Sequence, residues 1–120
     1  MRSAFIGVAT GLTVLAQGVE AQQIRCDIER KYVCETSGCR TAPIDMWNII
    51  DTAQQTYSRC DKQGCDTHSV LISRSGKFLN FELQGRGTTA KMAVDGSSFH
   101  EVATLVHNVF ISFGKCAELN

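Results

Sequence analysis

Proline is nearly absent from this chain, which has one in 120 residues, at Pro43. There is no low-complexity tract either, so nothing marks a linker, and the length suits a single domain. No charge of either sign is in excess, with 12 Lys and Arg against 12 Asp and Glu. Zero formal net charge leaves no cationic surplus for phosphate, which argues against nucleic acid and anionic membranes as partners. Beyond the first 20 or so residues, no run of about 18 apolar residues occurs, and no transmembrane helix is expected. Disorder is excluded because only 20% of the residues are charged while 43% are hydrophobic.

What is present begins with an address. Arg2 is followed by Ala4 to Ala16, 13 residues without a charge, too short to cross a bilayer comfortably but matching the apolar region of an export signal. A buried N-terminal helix is the alternative, but Gly7, Thr10, Gly11 and Thr13 make poor helix interior. Val19-Glu20-Ala21 offers small or aliphatic residues at the positions a signal peptidase reads. The expected cut falls after Ala21, with residues 1–21 a signal peptide and residues 22–120 a single mature domain, periplasmic or extracellular. Cys26 follows Gln23-Ile24-Arg25, which lacks the small residue of a lipoprotein site, so no membrane anchor is expected after cleavage.

Six cysteines lie in the mature part: Cys26, Cys34, Cys39, Cys60, Cys65 and Cys116. An even count in a short exported chain reads as disulfides. Two segments resemble each other, Cys34-Glu-Thr-Ser-Gly-Cys39 and Cys60-Asp-Lys-Gln-Gly-Cys65. In each, a glycine before the second cysteine lets the chain reverse with positive φ and brings the Cα atoms within bridging distance. The pairing expected is therefore Cys34–Cys39 and Cys60–Cys65, leaving Cys26–Cys116. That last bridge closes a 91-residue loop, a contribution on the order of 4 to 5 kcal/mol in the chain-entropy picture, against about 2 for each short loop. The competing reading of the four central cysteines is a zinc site, which an oxidising compartment and the wide C-x4-C spacing disfavour.

The pattern along the mature chain points to strands. Ile24, Cys26 and Ile28, then Tyr32 and Cys34, alternate about a charged segment near Glu29-Arg30, as in a first hairpin or one irregular strand. Thr36 to Pro43 reads as loop. Met46 to Asp51 and Thr56 to Cys60 favour strands, although Ile44, Trp47, Ile50 and Ala53 also stand at helical spacing. His68 to Arg74 and Lys77 to Leu83 form a hairpin about Ser75-Gly76, and Thr88 to Val94 follows after Gly85-Arg86-Gly87. Asp95-Gly96 is a further hairpin turn. In the tail, Ser98 and Glu101 match a capping box, but valine, isoleucine and phenylalanine dominate and favour strands on either side of His107-Asn108. The fold class expected is all-β, a small antiparallel meander or barrel stapled by disulfides; an α+β fold with a C-terminal helix over 98–113 is the alternative.

No constellation announces a reaction. His68, His100 and His107 have no metal spacing, and His100 and Glu101, adjacent in a strand, point to opposite faces. Every thiol is consumed in bridges. Gly85-Arg86-Gly87 lacks the Lys-Ser/Thr of a phosphate loop. Arg59, Asp61, Lys62, Asp66 and His68 interleave opposite charges, as a solvated face or a binding rim. No metal, no cofactor and no catalytic residue is therefore expected.

Tyr57-Ser58-Arg59-Cys60-Asp61, Gly64-Cys65-Asp66, Ser75-Gly76, Gly85-Arg86-Gly87, Ala90-Lys91 and Phe113-Gly114-Lys115-Cys116 resemble a set of small exported proteins of alpha-proteobacterial type that have no assigned reaction. That likeness implies an exported all-β domain. Ser75-Gly76-Lys77-Phe78 and Arg86-Gly87-Thr88-Thr89-Ala90 also resemble, in order, the two turns of periplasmic inhibitors of C-type lysozyme. Those are small barrels with bridged terminal cysteines that insert a serine and a lysine into the lysozyme cleft. Here Phe78 stands at their tyrosine position and Arg86 at their lysine, the spacing is shorter, and no tryptophan precedes the second turn.

The function expected is a non-enzymatic binding or envelope-structural role for a monomeric domain whose partner is a protein or an envelope component. Inhibition of a lysozyme-like cell-wall hydrolase is the alternative. Ser75, Lys77 and Arg86 are the expected partner-binding residues, because both turns carry exposed chemistry that the fold does not demand.

Overall fold

The computed structural model describes residues 22–119, so the proposed leader lies outside the described residues. Nine strands form within them: β1 Gln23–Glu35, β2 Gly38–Thr41, β3 Trp47–Asp51, β4 Thr56–Asp61, β5 Gly64–Ser75, β6 Phe78–Leu83, β7 Thr88–Ala93, β8 Phe99–Thr104 and β9 Val109–Leu119. Each pairs antiparallel with its neighbour in the order β9-β8-β7-β6-β5-β4-β3-β1-β2, and β9 also pairs with β1. Eight strands thereby close into a barrel, and β2 lies outside it as a flap on the upper half of β1. Closure removes the open edges that a meander of this length would otherwise leave.

The strands expected in the tail form, and the alternative helix over 98–113 does not. Phe99, Glu101 and Ala103 are buried while His100 and Thr104 are exposed, the period-2 pattern of a half-buried strand, and the β-branched residues of β9 sit where sheets favour them. Residues 44–57 are likewise strand and turn, because Ile50 of β3 pairs with Tyr57 of β4 across a tight reversal. One expectation needs correction. The segment Thr36 to Pro43 is not all loop, since Gly38–Thr41 pairs with Tyr32–Glu35. Of the two readings of the charged segment near Glu29, hairpin or irregular strand, the strand forms: β1 runs through it, Ile28 facing Gly114 and Arg30 facing Phe113, with Glu29 left over. This is a β-bulge, and it lets a long strand bend around the barrel.

The interior is filled by Ile24, Ile50, Tyr57, Val70, Phe81, Met92 and Phe99. The three bridges join the expected partners. Cys26–Cys116 spans 90 positions and ties β1 to β9 where the barrel closes, while Cys34–Cys39 and Cys60–Cys65 staple the β1–β2 and β4–β5 hairpins. Gly38 and Gly64, just before the second cysteine of each hairpin bridge, have φ of 135° and 140°. The short staples thus use the glycine freedom that their common pattern implied.

The up-and-down order gives the barrel two distinct ends. The turns 52–55, 76–77 and 94–98 gather at one, here called the base, with the C-terminal part of β9. The turns 62–63, 84–87 and 105–108 gather at the other, the mouth.

Candidate functional site at the barrel mouth

Strand parity carries polar groups into the upper half of the barrel. Asn48 pairs with Arg59 across β3 and β4, and Arg59 with Asp66 across β4 and β5. On the far side Glu101 of β8 pairs with Ser112 of β9. Register partners share a face, and Asn48 and Glu101 face the core. Glu101 is only 2% exposed, an unusual position for a carboxylate unless partners compensate its lost hydration.

Three side chains do so. The Tyr57 hydroxyl donates to Glu101 Oε2 at 2.5 Å, Arg59 Nη2 donates to Oε1 at 2.8 Å, and Asn48 Nδ2 makes a long contact to Oε2 at 3.5 Å. Burial first, and the neighbouring Glu101 charge second, push the Tyr57 phenol well above its ordinary value, so it stays a proton donor to the carboxylate. Asn48 Oδ1 and Ser112 Oγ are buried without a hydrogen-bond partner among the described residues. A charged and polar cluster thus replaces apolar packing in this half of the barrel, and it links strands on opposite walls.

Arg59 connects the cluster to solvent. Its side chain is 46% exposed while its partner carboxylate is buried, so the guanidinium lies where the interior meets the mouth. There it lines an open cleft of about 690 Å³ together with Asp66, His68, Leu83, Arg86 and Leu105. Asp66 and His68 share the interior face of β5 with Val70 through their parity. The β6–β7 turn brings in Arg86, and its backbone is well held: Arg86 N–H donates to Leu83 O at 3.3 Å, and Thr104 N–H donates to Gly87 O at 2.9 Å. Gly85 and Gly87 adopt φ of 70° and 64°. At Gly87 a Cβ would also crowd the Thr104 carbonyl oxygen, at 3.0 Å.

The three expected partner-binding residues do not converge. Arg86 is at the mouth, whereas Ser75 and Lys77 flank the turn at the base. Ser75 Oγ there accepts from Asn80 Nδ2 at 2.8 Å, a local bond within the β5–β6 hairpin. Arg59, Asp66 and His68, which the sequence grouped as an interleaved rim, do come together beside Arg86. Asp61 and Lys62 of that group line a separate surface hollow with Trp47. His100 lies on the outer wall, its ring against Phe113 at 6.4 Å between centroids, and His107 is exposed in the β8–β9 turn.

The residue that organises the site, Glu101, was missed in the sequence. Its signal was available: in Phe99-His100-Glu101-Val102-Ala103 the acid has the same parity as two apolar residues, which puts it on the core face of a strand. The competing capping-box reading assigned it to a helix surface. Compared with known proteins, the chain matches no family model, no curated protein and no solved structure.

Proposed function

We propose that the protein is an exported, non-enzymatic binding domain that takes its partner at the barrel mouth. The observation that carries this reading is the Glu101 cluster, which holds Arg59 at the rim of the cleft that Arg86 also lines. A concave cleft in which polar side chains are fixed by a buried network can hold a ligand in one orientation. Tyr57, Arg59 and Asn48 all direct donors at the one buried carboxylate of Glu101, which suits preorganisation of a binding surface better than turnover of a substrate. Three disulfides are compatible with an oxidising compartment and support export together with the leader-like N-terminus.

Affinity capture from an envelope extract tests this, using the oxidised protein and two variants. A partner retained by the native protein and by Lys77→Ala, but lost by Arg86→Ala, is the expected result. Loss with Lys77→Ala and retention with Arg86→Ala would move the binding end to the base.

Inhibition of a lysozyme-like hydrolase is the second reading. What favours it is a small barrel whose terminal cysteines are bridged, as the resemblance to lysozyme inhibitors implies. Ser75 and Arg86 lie at opposite ends, so only one of those turns could enter a cleft at a time. A cell-wall lysis assay with lysozyme decides it: undiminished lysis at excess protein removes this reading, and dose-dependent protection supports it.

A further inference from the structure

We propose that the mouth receives a zwitterionic ligand of the amino-acid or short-peptide class, its carboxylate on Arg86 and its ammonium on Asp66. The inference rests on the mouth being the binding end and adds the chemistry of what it binds.

The argument is one of charge balance within the cleft. Four ionised side chains belong to it or to its floor: Arg59, Glu101, Asp66 and Arg86. Arg59 and Glu101 neutralise each other through the 2.8 Å bond. Asp66 faces Arg59 in the β4–β5 register, yet the guanidinium turns inward to the buried carboxylate, and Asp66 forms no ion pair among the described residues. Arg86 forms none either. The cleft is therefore left with one uncommitted anion on β5 and one uncommitted cation on the β6–β7 turn, with an internally balanced pair behind them.

That arrangement discriminates among ligands. A simple anion gains Arg86 but meets Asp66, and a simple cation meets the reverse, so each forfeits on one wall what it gains on the other. A ligand with both charges satisfies both walls. Arg86 has a planar fork of donors suited to bidentate contact with a carboxylate, and its turn is fixed by the two backbone bonds described above. Leu105, 54% exposed, offers apolar surface in the cleft, which the buried Leu83 and Ala103 also line, and Arg59 keeps free N–H groups beside the bond to Glu101. A cleft of about 690 Å³ is within the usual range for small-ligand sites and admits a short peptide.

Calorimetric titration of the oxidised protein with trialanine tests the proposal, with the peptide free at both ends, N-acetylated, C-amidated, or capped at both ends. Saturable binding of the free form is expected at millimolar concentrations, with each cap weakening it at least about tenfold. In Asp66→Asn, acetylation should cost nothing further, and in Arg86→Gln, amidation should cost nothing further. Both positions are exposed, and matching thermal melts would show that the variants fold. Equal affinity for the doubly capped peptide, absence of saturable binding, or full additivity of caps and variants would each overturn the proposal. If trialanine fails while a partner is still captured in an Arg86-dependent way, the ligand class is wrong and the mouth remains the binding end. If neither occurs, both readings fall.

Discussion

Glu101 concentrates the energetic stakes of the molecule in one side chain. Removing it strands the Tyr57 hydroxyl and leaves Arg59 without its partner, so Glu101→Ala should cost about 2 to 4 kcal/mol in urea unfolding. Arg86→Ala, at the rim of the same cleft, should stay within about 0.5 kcal/mol of native stability, as exposed substitutions usually do. If that change proves strongly destabilising, Arg86 is part of the scaffold and not of the binding surface. Tyr57 adds a pH dependence. Its folded value is raised above the ordinary 10.0 by burial and by Glu101, so its contribution is fully present below about pH 10 and is lost as the pH climbs toward the folded value. Phenolate absorbance assigned to Tyr57, by difference from Tyr57→Phe, should therefore appear only together with loss of the far-ultraviolet signal of the sheet. Ionisation of Tyr57 in a protein that keeps its fold would contradict the buried hydrogen bond. Of this cluster only Arg59 was singled out, as part of a charged rim; a carboxylate is read from sequence as a surface group, and only the parity of Phe99 and Ala103 turns Glu101 inward.

Among the elements, those with clean alternation were the most legible. Val70 and Ile72 against Leu71, and Phe81 and Leu83 against Glu82, fixed the faces of β5 and β6, and Asn80 across from Ser73 shows the same register. The flap strand β2 escaped notice because Gly38, Cys39, Arg40 and Thr41 are all exposed and carry no apolar parity; their pairing is imposed by the Cys34–Cys39 bridge. The bulge at Glu29 left hairpin and irregular strand both open in the sequence, since charge clusters mark turns and bulges alike. Glycine positions give the sharpest expectations at this scale. Gly114 passes so close to β1 that a Cβ there would collide with the Asp27 carbonyl, and Gly96 stands in the same relation to the Cys116 carbonyl. Gly114→Ala should thus cost more than about 3 kcal/mol, or prevent closure of the barrel, because neither backbone can move without breaking its ladder. Gly76 is a useful contrast, with φ of 59° but open space around it. Gly76→Ala should carry only the left-handed backbone cost of about 1 to 2 kcal/mol. Equal melting temperatures for the two variants would show that the β1–β9 seam is looser than described.

For the molecule as a whole, the seam between β1 and β9 decides whether eight strands make a barrel or an open sheet, and Cys26–Cys116 crosses that seam. Replacing both with alanine should lower stability by about 4 kcal/mol, and losing either hairpin bridge by about 2. The same closure sets the base and the mouth apart as two distinct surfaces. Ser75 and Lys77 lie at one end of β6 and Arg86 at the other, where Arg59, Asp66 and His68 reach it from the preceding strands β4 and β5, while Glu101, which holds Arg59, comes from β8 across the barrel. The most direct test of the central claim is site-specific photo-crosslinking in cells producing all 120 residues of the chain. Leu105 at the mouth is 54% exposed and Phe78 at the base 39%, so either position accepts a benzoylphenylalanine in place of the native residue. A discrete adduct from position 105 that disappears with Arg86→Ala, and none from position 78, is the result expected. An adduct from position 78 alone would contradict the assignment of the mouth as the binding end.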